Sequence, residues 1–155
     1  MRISQIGRTM LCAVLLTSSG ATTSWAADSA SEAGTVKTAR GHVTVERQGA
    51  QLAAAPGFKV LASDRVRTGA DSAVGITLRD STSLTAGANT VLTLDRYEFN
   101  STTHAGAMQA SLQKGSLAVI SGKLPKASPD SVRFQTSSVT LGVRGTSFII
   151  ESAGE

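Results

Sequence analysis

Apolar residues return at every second position in short bursts along most of this chain, and each burst stops at Gly, Asp, Asn or Ser. Successive side chains on an extended strand point to opposite faces, so this alternation predicts strands with one buried and one wet face. Val43 and Val45 alternate, as do Val74, Ile76 and Leu78 just before Arg79-Asp80. Leu92 and Leu94 follow, then Tyr97 and Phe99, then Leu117 and Val119. Val132 and Phe134, then Val139, Leu141 and Val143, then Phe148 and Ile150 complete the series. Valine and threonine crowd these runs, and their branched side chains suit a pleated surface better than a helix. In residues 105–114, Met108 and Leu112 have helical i, i+4 spacing, but Met108, Ala110 and Leu112 also alternate. A strand is expected there too.

The spacing of the turns narrows the fold. Gly49, Gly57, Gly69, Asp80, Gly87, Asn100, Gly115, Gly122 and the Gly142–Gly145 stretch punctuate the strands at mostly short intervals. Short antiparallel connections fit such gaps, whereas parallel sheets need long helical crossovers. The expected class is therefore all-β: short antiparallel strands in a two-layer sandwich, or a short β-solenoid or roll. The expected domain runs over 35–151, with a tail at 152–155.

The start of the chain differs. Arg2 and Arg8 precede the apolar run from Met10 to Leu16, and Ser24-Trp25-Ala26-Ala27 follows a Ser/Thr-rich stretch. A basic start, a short apolar segment and a small-x-small site describe a secretory signal peptide, expected over 1–26 with cleavage after Ala26. Spanning a bilayer takes about 20 apolar residues, and Ser18, Ser19 and Gly20 interrupt this run too early. Residues 27–34, small and polar, are expected to form a flexible leader. Cleavage would remove the only cysteine, Cys12, leaving no thiol for a disulfide. It would also remove Arg2 and Arg8, so the formal charge of +4 overstates the basicity of the mature protein. No Lys/Arg cluster remains to bind nucleic acid or anionic lipid. About 130 residues can bury a core without covalent staples.

The sequence carries no set of groups expected to converge on a chemical step. His42 and His104 are the two histidines, and neither has a second histidine or a cysteine at metal-ligand spacing. His42 is out of phase with Val43 and Val45 and is expected to face solvent; His104 is expected in a loop. No Gly-x-Ser-x-Gly elbow occurs, and Gly115 to Lys123 fails the phosphate-loop spacing. Gly142-Val143-Arg144-Gly145 has the form of a basic Gly-x-x-Gly clamp from an RNA-binding module. Strands rather than helices flank it, so Gly142 and Gly145 are read as turn residues that permit tight backbone geometry. Arg65 and Arg67 bracket Val66 and should share one face, either a solvated strand face or a docking patch. No catalytic residue, metal or cofactor is expected.

Several segments, in order, resemble the FecR-like periplasmic domain. They are Gly41-His42-Val43-Thr44-Val45-Glu46 with Asp64-Arg65-Val66-Arg67-Thr68-Gly69, and Ile76-Thr77-Leu78-Arg79-Asp80 running to Asp95-Arg96-Tyr97-Glu98-Phe99. Leu112-Gln113-Lys114-Gly115-Ser116-Leu117, Phe134-Gln135-Thr136 and Gly142-Val143-Arg144-Gly145-Thr146-Ser147-Phe148 complete the set. The resemblance implies an extracytoplasmic, all-β, non-catalytic domain that contacts another envelope protein. In the best-known members it is joined through a membrane helix to a segment controlling a sigma factor, and relays the state of an iron-siderophore transporter. Here no membrane span is expected after signal removal. The chain also has Ser81 where glycine usually follows the aspartate, which suggests a slightly different turn. Under the resemblance, Arg144 is the best single candidate for a partner contact: its guanidinium can grip a carboxylate bidentately, either on a partner or on its own sheet, where it would fasten the turn. The expected role is a periplasmic or secreted interaction or sensory module. A carbohydrate- or peptidoglycan-binding module and a structural envelope subunit stand as alternatives.

Overall fold

The structure, a computed structural model, describes residues 31–144 and 147–154. The expected signal peptide, residues 27–30 of the expected leader, and Gly145 lie outside them. Among the described residues twelve strands form in chain order: β1 (Glu32–Arg40), β2 (Val43–Arg47), β3 (Ala50–Ala53), β4 (Lys59–Leu61), β5 (Arg65–Thr68) and β6 (Ala73–Leu78). They continue with β7 (Ser83–Ala86), β8 (Val91–Phe99), β9 (Gly106–Ile120), β10 (Val132–Gln135), β11 (Thr140–Gly142) and β12 (Ser147–Ser152). One turn of helix, α1 (Leu124–Ala127), and a 3-10 turn at Pro129–Ser131 carry the chain from β9 to β10. The class is all-β, as the alternation predicts.

The strands make one sheet in the order β3-β2-β5-β8-β9-β7-β6-β1-β4, curled around a single core. All the ladders are antiparallel except β10, which runs parallel to β9. The turn through α1 makes that possible, because it returns the chain to the start of β9 before β10 begins. The segment 105–114 is extended, as its two-residue period suggests.

β9 organises the rest. Its first half lies between β8 and β10, and its second half between β7 and β12. Gly115, at φ 92°, separates the halves. Met108, Ala110 and Leu112 point into the core, but Leu117 and Val119 also do, five residues after Leu112. An odd step between buried positions requires one extra residue in the strand, the signature of a bulge. β8 does the same: Leu92 and Leu94 are buried, then Tyr97, and its register with β9 shifts between Thr93 and Arg96. Each bulge bends its strand, which is how an otherwise regular sheet closes on its own core.

Three expectations need correction. Glu32–Gly34 belong to β1 rather than to a flexible leader; Ala33 is fully buried, and Gly34 lies so close to Leu78 that a side chain would not fit. Val139 and Leu141, read as inward-facing, are exposed, and only Val143 of that trio is buried. They sit at the margin of the sheet, beside or on β11, where no second layer among the described residues covers them. Ser81 takes φ 70°, the left-handed geometry that glycine would supply. The turn is the same kind, held despite the side chain.

Candidate functional site

The hairpin turn between β6 and β7 is built on Asp80, which is fully buried. Its carboxylate accepts hydrogen bonds from Thr82 Oγ1 (2.5 Å), the Thr82 amide (3.2 Å), the Tyr97 hydroxyl (3.2 Å) and the Leu124 amide (3.4 Å). The Asp80 amide donates to the Tyr97 hydroxyl at 3.0 Å, and the Asp80 carbonyl accepts from the Lys123 amide at 2.8 Å. One carboxylate thus ties the β6–β7 turn to β8 and to the start of α1. Burial, and then the neighbouring Asp80 charge, push the Tyr97 phenol above its ordinary pKa. With every lone pair engaged by its own chain, this cluster is a structural lock.

A second buried acid, Asp64, opens β5. Arg47 on β2 grips it bidentately, at 2.8 and 2.7 Å, and donates to the Lys59 carbonyl at 2.8 Å. The Leu61 amide also donates to Asp64, at 2.8 Å. The guanidinium lies 5.6 Å from the centre of the Phe58 ring, and its bonds to Asp64 raise its pKa. The adjoining groove, about 770 Å³, is lined by charged side chains that answer one another. Arg47 pairs with Asp64, Arg96 with Glu98 at 2.9 Å, and Asp95 accepts from Ser111.

Arg65 and Arg67 share the outer face of β5, as predicted. Both turn toward Glu46 on the neighbouring β2, at 3.8 and 3.3 Å. One carboxylate faces two guanidiniums, so this face keeps a net positive edge. His42 is exposed, also as predicted. His104 is in a loop but half-buried, stacked 6.1 Å from Phe99. Asn100, two strands' turn residue, accepts from the Thr102 and Thr103 amides at 2.9 and 3.0 Å.

Arg144 stands at the opposite margin, between β11 and β12. It is largely exposed, with only a loose 4.0 Å approach to the equally exposed Asp130. The large apolar side chains left exposed among the described residues are Val139 just before β11, Leu141 on β11, Ile149 on β12 and Ile120 at the end of β9, opposite Ser147. A shallow cavity of about 360 Å³ is lined by Leu141, Gly142, Val143, Phe148 and Ile149. Gly142 is not the tight-turn residue expected: it ends β11 at an ordinary φ, and a side chain there would meet open space. Sequence reasoning singled out Arg144 and missed that Leu141 and Ile149 stay exposed. It also named Arg144, Arg65 and Arg67 as candidates together, whereas the structure puts Arg144 in the connection between β11 and β12 and the other two on β5.

Among the described residues no group of three or more His, Cys, Asp or Glu could hold a metal ion. Nor is any helix among them long and apolar enough to cross a membrane. What the molecule presents is an all-β domain whose buried acids brace the fold and whose margins are open strand edges. The family model for FecR protein matches residues 64–155, from the buried Asp64 through β12. That is more than half of the chain, and the chain belongs to the FecR family. Searches of curated proteins and of solved structures found no match.

Proposed function

We propose that this protein is a non-catalytic module of the bacterial cell envelope, periplasmic or secreted, that acts by docking onto another protein. The role belongs to signalling or regulation connected with iron transport, as the FecR family suggests. The observation that carries the docking reading is the β11–β12 margin. There the exposed Leu141 and Ile149 line one shallow cavity, the outer edges of β11 and β12 are unpaired among the described residues, and the exposed Arg144 stands in the connection between the two strands. Exposed sheet edges offer backbone groups to an incoming strand, and flanking side chains select it. The apolar residues supply area and Arg144 a carboxylate anchor. The Arg65–Arg67 face is a second basic surface, already answered in part by Glu46.

Sugar-binding platforms need aromatic faces open to solvent. Here Tyr97 and Phe134 are buried, and Phe58, Phe99 and Phe148 are partly buried against the core. That weighs against the carbohydrate alternative among the described residues.

A photo-crosslinking residue at Leu141 in the living cell tests the proposal. Capture of a defined envelope protein, lost on Arg144→Glu, is the expected result. A crosslinking pattern no different from that of a probe on the far β3 edge overturns it.

A further inference from the structure

The sheet has four edges among the described residues, and they are not alike. β3 has four residues, β4 and β11 three each, and β4 carries Lys59 in an ion pair with Glu32. Short edge strands and edge lysines discourage pairing with a second chain. β12 has neither device. It is the longest edge, six residues reading Ser-Phe-Ile-Ile-Glu-Ser, with no lysine or proline. Its pairing with β9 runs unbroken from Ser147 opposite Ile120 to Ser152 opposite Gly115, so no bulge twists it away. Ile149, 72% exposed, projects from the outer face, diagonal to Ile120, 60% exposed.

We infer that β12 pairs with β12 of a second copy of this chain, antiparallel, about a two-fold axis through Ile149. This rests on the proposed reading of the β11–β12 margin as a docking surface, and adds a second copy of the chain as a partner for its β12 edge. The register is self-complementary. Ile149 falls opposite Ile149 on the outer face, Phe148 opposite Ile150 on the inner face, and Glu151 opposite Ser147, so no like charges meet. Arg144 precedes β12 and Glu151 lies near its end. An antiparallel pair therefore brings the basic end of each copy to the acidic end of the other, which a parallel pair would not do. Ile149, the most exposed of the large apolar side chains in a lone copy, is then packed against its own equivalent. A six-residue edge buries less than the roughly 1,200 Å² of a stable interface, so the association is weak and concentration-dependent.

Directly opposed residues on antiparallel strands have Cα atoms about 4.5–5.5 Å apart, within disulfide reach. Cys12 is the only natural cysteine. Purified protein carrying Cys12→Ser and Ile149→Cys should form a disulfide dimer on mild oxidation. The Glu151→Cys counterpart should form it at least tenfold more slowly, because that residue lies about 13 Å from its own copy in this register. Sedimentation from about 10 µM to 1 mM should show the wild type moving toward dimer, with Ile149→Lys monomeric throughout, as a lysine protects an edge. Arg144→Glu and Glu151→Arg should each weaken the dimer, and the double exchange should restore it. A wild type monomeric at all these concentrations, or equal oxidation at positions 149 and 151, overturns the inference. If a probe at Ile149 then captures a different protein in the cell, the docking reading survives without the dimer; if it captures nothing, both fall.

Discussion

Replacing Tyr97 by phenylalanine isolates the Asp80 lock, because the ring stays and only the hydroxyl goes. Two bonds disappear: the donation to the Asp80 carboxylate at 3.2 Å and the acceptance from the Asp80 amide at 3.0 Å. The carboxylate keeps its bonds from Thr82 and Leu124, but no other side-chain bond is made to the buried amide. A hydrogen bond to a charged group contributes about 1.5–3 kcal/mol, and a buried donor left unmatched costs about 1–3 kcal/mol. The two losses share one hydroxyl and overlap, so a net destabilisation of about 2–4 kcal/mol is expected. Urea unfolding followed by far-ultraviolet circular dichroism reads it as a lower midpoint at unchanged slope. A change below about 0.5 kcal/mol would refute the reasoning, because it would mean that water replaces the hydroxyl and the cluster is not closed.

Tyr97 is the only tyrosine, so absorbance of its phenolate on alkaline titration reports this site alone. Its raised pKa means the folded state holds the proton where the unfolded chain, near pH 10, gives it up. The folded state then binds more protons, so the contribution is fully present below about pH 10 and is lost as pH rises toward the folded value. Wild type should lose stability above about pH 10 faster than Tyr97→Phe; parallel curves would contradict this. Gly115→Ala should cost more than about 2 kcal/mol, because φ is 92° and the new methyl would lie 2.5 Å from the Thr90 Cα. Gly142→Ala, facing open space, should stay within about 0.5 kcal/mol in the same urea assay. Ser81→Val should cost about 1–2 kcal/mol, since a β-branched residue resists the positive φ that serine tolerates there.

Much of the fold was legible because strand burial is written in a local period. Val74, Ile76 and Leu78, or Leu92 and Leu94, needed no partner to be recognised as inward-facing. Even the bulges left a trace, in the odd steps from Leu94 to Tyr97 and from Leu112 to Leu117. The same rule misjudged Val139 and Leu141, because alternation marks a face and not whether anything covers it. The candidate site was legible only in part. Arg144, Arg65 and Arg67 stood out as charges beside turns and strands, but what each one touches depends on residues far along the chain. Asp80 was read as a turn signal, whereas its burial depends on Tyr97, 17 residues on, and on Leu124, 44 residues on.

Short-range chemistry alone determined that the chain forms strands, where most of them lie, and which side chains they turn inward, since a two-residue pleat needs no distant contact. Tertiary structure decided which strands stand at an edge, which acids are sealed inside, and which apolar residues stay in water. Those outcomes depend on strand pairing between distant segments, and the order in which strands meet is not encoded in any one of them.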